Sequence, residues 1–261
     1  MSPRVVVVSG GGTGIGRATA QRFAHSGEQT VLLGRRLDRL TAAAQHISDT
    51  VEGALAPAVS AGDLSRVQDV ERIVADLESR FGGIDVVVHA AGGNVEFADD
   101  PHRGETVPAA SALQTIARRW NDNLASNVLS AVLLSEAVTG ILADNARIVL
   151  LSSIAAYRGS GTGSYAAAKA ALHPYAFDLA ARLGHRGATV NVVAPGYVSG
   201  TEFFHGKLTE ARENVLIGQT LVSRAGSPED VAETVHWLSS PAAAHISAQI
   251  IQVNGGALYG R

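Results

Sequence analysis

The stretch VVVVSGGGTGIGRATA, residues 5–20, joins an apolar run to a glycine-rich turn and then to an alanine-containing segment. Four consecutive valines without alternation are typical of a strand that is buried on both faces. The turn places Gly10, Gly14 and Gly16 where the helical pattern begins. A helix N-terminus carries free N–H groups and partial positive charge, and glycine lets a ligand approach the backbone. The stretch therefore predicts a strand–turn–helix unit that cradles a phosphate, and the alternative is a tight turn without a ligand.

Short apolar runs alternate with helical patterns along the rest of the chain. Candidate strands lie at Arg4–Ser9, Gln29–Gly34, Leu55–Val59, Ile84–His89, Arg147–Leu151, Thr189–Val193 and Gln249–Val253. Between them, Arg66–Phe81 has apolar residues at helical spacing. This order predicts one α/β domain over residues 1–261, with a doubly wound parallel sheet of about seven strands and helices on both faces. Loops at about 93–110 and 197–218 follow strands, so we expect them at the carboxyl edge of the sheet, where ligands bind in such folds.

The composition excludes several classes of function. The chain has 261 residues, of which 46% are hydrophobic, and a net charge of −3, so nothing indicates binding to nucleic acid or to an anionic membrane. It contains no cysteine, which rules out disulfides and cysteine catalysis, and its nine histidines show no ligand spacing for a metal. The N-terminal apolar run is too short for a signal peptide, and no stretch approaches the roughly 18 apolar residues of a membrane span. We expect a cytoplasmic protein.

A second chemical pattern lies in GSYAAAKAAL, residues 163–172. Tyr165 and Lys169 are four residues apart, so they share one face of a helix. An ammonium group near a phenol stabilises the phenolate, so we expect Lys169 to lower the pKa of Tyr165 and make it usable for proton transfer. The strand that ends in Ser152 and Ser153 brings a hydroxyl to the same edge of the sheet. The alternative is an ordinary surface pair on a helix.

The end of the second predicted strand indicates which dinucleotide is bound. Folds that prefer NAD usually have an acidic residue there, which accepts a hydrogen bond from the ribose 2′-hydroxyl. This chain has Gly34, followed by Arg35 and Arg36. Arginine can bind a 2′-phosphate, and no carboxylate repels it, so we predict NADP(H) with Arg35 as the main contact. NAD(H) is the alternative, in which case both arginines are solvated charges.

Taken in order, the motifs of this chain resemble those of the short-chain dehydrogenase/reductase family, including its 3-oxoacyl-[acyl-carrier-protein] reductases. The resemblance covers nearly the whole chain. It rests on Ser9-Gly10-x-x-x-Gly14-Ile15-Gly16, Asp63-Leu64, His89-Ala90-Ala91-Gly92, Asn127, Ser153, Tyr165-x-x-x-Lys169, Pro195-Gly196 and Arg224–Ala232. It implies a Rossmann-type fold.

The resemblance also implies roles for four residues. Ser153 would hold the substrate oxygen, and Tyr165 would transfer the proton. Lys169 would bind the nicotinamide ribose, and Asn127, seven residues after a tryptophan, would support a water chain to that lysine. Ser153 is favoured over Ser152 because it directly precedes Ile-Ala-Ala, with Ser152 expected to bond the backbone. By the same register Asn121 and Asn123 have no such role, and His89 is expected to be a packed histidine without a catalytic one.

The resemblance further implies a set of cofactor contacts. Asp63 would meet the adenine amino group, and the turn at Pro195 would contact the nicotinamide. The complete predicted cofactor set is Gly10, Gly12, Thr13, Gly14, Ile15, Gly16, Arg35, Arg36, Asp63, Leu64, Ala90, Ala91, Gly92, Tyr165, Lys169, Pro195, Gly196, Val198 and Thr201. Thr201 stands one position later than the family threonine.

Together these observations predict an NADP(H)-dependent oxidoreductase that transfers hydride between the nicotinamide and a ketone or secondary alcohol. The resemblance implies a homotetramer. Three alternatives are a nicotinamide-binding sensor or scaffold of the same fold without turnover, an NAD-dependent alcohol dehydrogenase and another Rossmann enzyme such as a methyltransferase. Phe203, Phe204 and Tyr157 either line an apolar substrate pocket or pack within the lid, and the substrate class stays open.

Overall fold

The structure, a computed structural model, describes residues 2–95, 109–161 and 163–259. Seven strands form one sheet in the order β3-β2-β1-β4-β5-β6-β7, and every neighbouring pair is parallel. The strands are β1 Val5–Ser9, β2 Gln29–Gly34, β3 Ala58–Ala61, β4 Ile84–His89, β5 Leu142–Leu151, β6 Thr189–Pro195 and β7 Ile250–Val253. The prediction of a doubly wound parallel sheet is confirmed.

Helices connect the strands and cover both faces of the sheet. They are α1 Gly14–His25, α2 Leu37–Thr50, α3 Val67–Phe81, α4 Ala109–Leu124, α5 Ser130–Val138, α6 Ala155–Arg158, α7 Gly163–Leu183, α8 Glu210–Gly218 and α9 Pro228–Leu238. A π-helical turn at Ala125–Leu129 joins α4 to α5.

The core consists of two apolar layers, one on each face of the sheet. Successive side chains of a strand point to opposite faces. Val6 and Val8 of β1 therefore pack towards α1, α2 and α9, whereas Val7 packs towards α3, α5 and α7. All three valines are fully buried. This two-sided burial is the reason that the first strand reads as an unbroken apolar run.

Two strands differ by three residues or more from their predicted bounds, and the others differ by at most two residues at either end. The third strand begins at Ala58 instead of Leu55 and continues to Ala61. Proline lacks an N–H group for the ladder, so Pro57 precedes the first paired residue, Ala58, which lies opposite Val31. The fifth strand begins at Leu142, five residues before the predicted Arg147, and its pairing with β4 is interrupted by a register shift.

The predicted loop at 197–218 is partly helical. It contains a 3₁₀ turn at Glu202–Phe204 and the helix α8, where the Thr209 side chain caps the N-terminus by accepting a hydrogen bond from the backbone of Arg212 at 3.3 Å. We call residues 197–218 the lid. Of the other predicted loop, 93–110, residues 96–108 lie outside the part of the chain that the structure describes.

One helical stretch, Ala112–Ile141, is long and apolar enough to cross a membrane by length and composition alone. The prediction that no stretch approaches this length is therefore wrong. Core helices of soluble proteins pass the same test, and in this fold the stretch is part of α4, the π turn and α5, which pack against α3 and α7. It also carries the buried side chains of Asn123 and Asn127.

Candidate active site

The glycine loop lies where the order of the strands reverses. β1 is central, with β2 and β3 on one side and β4 to β7 on the other, so a crevice opens at the carboxyl ends of β1 and β4. The two ends are joined by the Ser9 hydroxyl, which accepts a hydrogen bond from the backbone of Ala91 at 3.1 Å. The predicted loops of both strands therefore meet at one place.

Two glycines of the loop are required by close backbone packing. Gly10 has φ +70°, and a Cβ atom there would lie 2.8 Å from the carbonyl carbon of Ala90. A Cβ atom on Gly16 would collide with the Gly10 carbonyl oxygen. Thr13 precedes α1 but does not cap it through its side chain. The Thr13 hydroxyl thus leaves the first-turn N–H groups of α1 uncapped, and an uncapped helix N-terminus is an arrangement that suits an anion.

The adenine end of the predicted site lies beside the end of β2. The backbone of Gly62 donates to the carbonyl oxygen of Gly34 at 2.9 Å, which brings Asp63 next to this strand end. One carboxylate oxygen of Asp63 accepts hydrogen bonds from the backbone and hydroxyl of Ser65 at 3.0 and 2.7 Å. Leu64 is buried in the core.

Tyr165, Lys169 and Ser153 come together at the carboxyl edge of β5. Tyr165 and Lys169 are each 5% exposed, and Tyr165 is hydrogen-bonded to Ser153. The Lys169 ammonium donates to the Leu151 carbonyl oxygen at 2.8 Å. Ser152 points elsewhere: its hydroxyl donates to the Lys169 carbonyl oxygen at 2.9 Å and contacts the Nε2 atom of His173 at 2.8 Å. Ser153 is thus the serine that contacts Tyr165, and Ser152 bonds the backbone as predicted.

Burial controls the proton affinities of this pair. It raises the pKa of Tyr165 to about 12, and the hydrogen bond to Ser153 offsets only part of that effect. Burial lowers the pKa of Lys169 to about 8. The prediction that Lys169 lowers the pKa of Tyr165 is wrong for this structure, because desolvation of the phenol dominates and the ammonium is bonded to the Leu151 carbonyl.

Asn127 lies in the π turn and holds the segment that follows β4. Its side-chain amide donates to the Gly93 carbonyl oxygen at 3.0 Å and accepts from the Gly93 backbone at 3.0 Å. A Cβ atom on Gly92 would collide with the Asn127 side-chain oxygen and lie 3.2 Å from Nζ of Lys169. Asn127, Gly92 and Lys169 therefore meet at one point, and π turns of this kind recur at functional sites.

Asn123 is a residue of this region that sequence reasoning set aside. Its side chain is fully buried, donates to the Ser164 hydroxyl at 2.9 Å and accepts from the Val95 backbone at 3.3 Å. It therefore connects the loop after β4 to the residue that precedes Tyr165. The sequence offered one indication of this position: Asn123 lies four residues before Asn127, and residues four apart share one face of a helix. Asn121 is exposed.

His89 ends β4 and is buried. Its Nε2 atom contacts the Ser135 hydroxyl at 2.8 Å, and its Nδ1 atom has no partner among the described residues. Desolvation lowers the pKa of His89 to about 4, so the ring is neutral at physiological pH. His89 is therefore neutral, and the prediction that it is a packed histidine is confirmed.

This histidine makes the stability of the fold depend on pH. Because its folded pKa of about 4 lies below the ordinary 6.5, the native state binds fewer protons than the unfolded chain between these values. The stabilisation is fully present above about pH 6.5 and is lost as the pH falls towards about 4. We expect the wild type to lose about 2 kcal/mol from this group between pH 7 and pH 5, and His89→Asn to lose none of it.

The measurement is urea unfolding at the two pH values and one protein concentration. His46→Asn, which replaces an exposed histidine of α2, is the control and should behave as the wild type. Equal pH dependence in wild type and His89→Asn would contradict the buried, neutral state of this ring.

The arginines near the end of β2 are arranged differently from each other. Arg35 is exposed and has no ion pair within the described ranges, whereas Arg36 contacts Glu202 of the lid at 2.9 Å and Arg39 contacts the same carboxylate at 3.5 Å. Arg39 and Glu202 were missed by sequence reasoning. Arg39 lies in the first turn of α2, and Glu202 is 166 residues from Arg36.

The remaining predicted contacts lie on the lid side of the crevice. The Pro195 carbonyl oxygen accepts from the backbone of Ile154 at 2.8 Å, which joins the turn after β6 to the segment after Ser153. Val198 forms a bridge with Gly226. Thr201 lies next to the glycine loop, since its Cγ2 atom is 3.4 Å from the position of a Cβ atom on Gly14. Although Thr201 stands one position later in the chain than the family threonine, it still lies beside the glycine loop.

Aromatic side chains of the lid lie against Tyr165. The ring of Phe203 is centred 5.4 Å from that of Tyr165 and 4.9 Å from that of Phe204. Tyr157 packs instead against His173, at 5.2 Å. The aromatic rings of Phe203 and Phe204 therefore form an apolar surface beside the Tyr165 phenol.

Comparison with known proteins agrees with this geometry. Residues 10–257 match a family model described as enoyl-(acyl carrier protein) reductase. The chain is 28% identical to the 3-oxoacyl-[acyl-carrier-protein] reductase FabG of Vibrio cholerae, over 97% of this chain and 96% of that protein. It is 31% identical to the short-chain reductase protein NovJ of Streptomyces niveus, over 97% of this chain and 93% of that protein.

Solved structures point the same way. A crystal structure of a short-chain dehydrogenase/reductase from Brucella melitensis, named glucose/ribitol dehydrogenase, superposes with a TM-score of 0.83 at 31% identity. The superposition covers 98% of this chain and 97% of that one. The chain belongs to the short-chain dehydrogenase/reductase family of oxidoreductases and is similar to its 3-oxoacyl-[acyl-carrier-protein] reductases.

Proposed function

We propose that this protein is an NADP(H)-dependent oxidoreductase that interconverts a ketone and a secondary alcohol. The observation that carries the proposal is the convergence of Ser153, Tyr165 and Lys169 at the edge of the sheet onto which the glycine loop also opens. A site that only bound a nucleotide would have no need of a buried phenol hydrogen-bonded to a serine.

The residues around the crevice suit a dinucleotide. The glycine loop brings backbone N–H groups to the N-terminus of α1, and glycine at positions 10 and 16 keeps the loop compact. β2 ends in Gly34 without an acidic residue, and Arg35, Arg36 and Arg39 follow it. This charge favours a 2′-phosphate. When bound, the nicotinamide would supply or accept the hydride.

The proton chemistry belongs to the chain itself. With a pKa of about 12, Tyr165 is protonated at neutral pH and can act as the general acid in reduction. Ser153 orients the carbonyl oxygen towards that phenol. Lys169, with a pKa of about 8, can exchange a proton near neutral pH. Asn127, which lies beside Lys169 at Gly92, would hold the water that carries the proton to solvent.

The cofactor preference is tested by titration with NADPH and with NADH, followed by nicotinamide fluorescence. We expect tighter binding of NADPH. We expect Arg35→Ala to bind NADPH roughly 10- to 100-fold more weakly than the wild type, because it loses a charge-assisted contact to the 2′-phosphate. NADH lacks that phosphate, so its binding should be unchanged. Arg80→Ala, which removes an exposed charge from α3, is the control. Unchanged NADPH affinity in Arg35→Ala would remove that residue from the site, and binding of neither nucleotide would overturn the proposal.

We further propose a cytoplasmic homotetramer, and the exposed apolar surface of the single chain supports its self-association. Large apolar side chains of α4 and α7 remain in contact with solvent in the single chain, among them Leu113 at 70%, Ile116 at 50% and Phe177 at 41% exposure. Patches of this kind mark protein interfaces. Sedimentation velocity gives the assembly state directly, and a monomer would contradict this part of the proposal.

A further inference from the structure

An anion already occupies the positively charged site at the end of β2. One carboxylate oxygen of Glu202 lies 2.9 Å from the Arg36 guanidinium, and the other lies 3.5 Å from that of Arg39. The hydrogen bond from Arg36 holds the pKa of Glu202 below its usual range, so the group is charged at neutral pH. Two cations from α2 and the residue before it thus converge on one acidic group from the lid.

The residues on either side of Glu202 hold it in this position. Thr201 packs beside Gly14 of the glycine loop, and Phe203 packs against the ring of Tyr165. The 3₁₀ turn of the lid therefore lies across the crevice, from the phosphate-binding end to the catalytic end. A cleft of about 190 Å³ at this place is lined by Gly12, Arg17, Arg39 and Glu202.

The ion pairs are partly solvated, which makes them exchangeable. The side chains of Arg36, Arg39 and Glu202 are 54%, 51% and 44% exposed. Pairs of this kind contribute little to stability, because water already screens them. A ligand with a stronger anionic group can replace the carboxylate without disturbing the core.

We propose that Glu202 is a specificity-determining residue that limits the preference of this enzyme for NADP(H). Its carboxylate competes with the 2′-phosphate of NADP(H) for Arg36 and Arg39. The same carboxylate favours the binding of NAD(H), since it can accept a hydrogen bond from the ribose 2′-hydroxyl. The lid thereby supplies the acidic group that the end of β2 lacks at Gly34. The inference rests on the proposed dinucleotide function.

The experiment compares wild type with Glu202→Gln by fluorescence titration with NADPH and with NADH. Glutamine keeps the size of the side chain but removes its charge. We expect NADPH to bind about 5- to 10-fold more tightly to the variant and NADH to bind equally or more weakly, with the gain reduced at high salt. Glu210→Gln, which neutralises another exposed acid of the lid at the start of α8, is the matched control and should change neither affinity.

The outcomes separate this inference from the function on which it rests. A wild type that binds neither nucleotide overturns the proposed function itself. A wild type that prefers NADPH, with an unchanged affinity ratio in Glu202→Gln, leaves the function standing and overturns the role of Glu202. Equal tightening of both nucleotides also overturns it, because Glu202 would then act only by opening the lid. A rise in the NADPH/NADH ratio that Glu210→Gln lacks supports it.

Discussion

Tyr165→Phe is expected to lose turnover by about 1000-fold or more while it binds NADPH about as tightly as the wild type. The substitution removes one hydroxyl, the group that contacts Ser153, and leaves the ring that packs against Phe203 at 5.4 Å. In the proposed mechanism the phenol of Tyr165 donates the proton at this contact, and the Ser153 hydroxyl orients the carbonyl oxygen. Without it, the carbonyl oxygen would have to take its proton from water, at a far higher barrier.

The test measures ketone-dependent oxidation of NADPH and, separately, NADPH binding by fluorescence. Tyr157→Phe is the matched control, because Tyr157 lies in the same region but its ring packs against His173. We expect that control to retain most of its turnover. If Tyr165→Phe retained a tenth of the wild-type rate or more, the phenol would not be the general acid, and Ser153 or a bound water would have to take its place.

The second large effect is expected from Gly16→Ala, which should weaken NADPH binding by on the order of 100-fold. A methyl group at position 16 would collide with the carbonyl oxygen of Gly10, a backbone atom that cannot rotate away. Gly10 has little room to retreat, because even a Cβ atom added to it would lie 2.8 Å from the carbonyl carbon of Ala90. The strain would therefore displace the loop from the N-terminus of α1 and disperse its N–H groups.

Gly218→Ala separates this local effect from a general cost of replacing glycine. Gly218 ends α8, and a Cβ atom there would meet no atom within 4 Å. We expect that variant to bind NADPH as the wild type does. Circular dichroism and thermal unfolding of Gly16→Ala show whether the sheet remains folded. A folded Gly16→Ala protein with normal NADPH affinity would mean that the glycine loop does not hold the phosphates.

The sequence by itself determined the architecture and identified most of the candidate catalytic residues. The order of apolar runs and helical patterns is local information, because burial on both faces removes polar residues from a strand and a helix repeats every 3.6 residues. Tyr165 and Lys169 share a helical face for the same reason. The start of the third strand is also set by local sequence, because Pro57 cannot donate a hydrogen bond to the ladder. The prediction nevertheless placed that start three residues too early.

Only the tertiary structure decided how the site is charged and which distant residues complete it. The Tyr165 pKa is raised instead of lowered, because the degree of burial depends on what packs around the phenol and not on its neighbour in the helix. Asn123 acquired partners because the loop after β4 and the start of α7 both reach it. Glu202 meets Arg36 across 166 residues of chain. Such contacts join groups that no spacing in the sequence relates to each other. The desolvation of a side chain likewise depends on what packs around it, so both effects are determined only when the chain is folded.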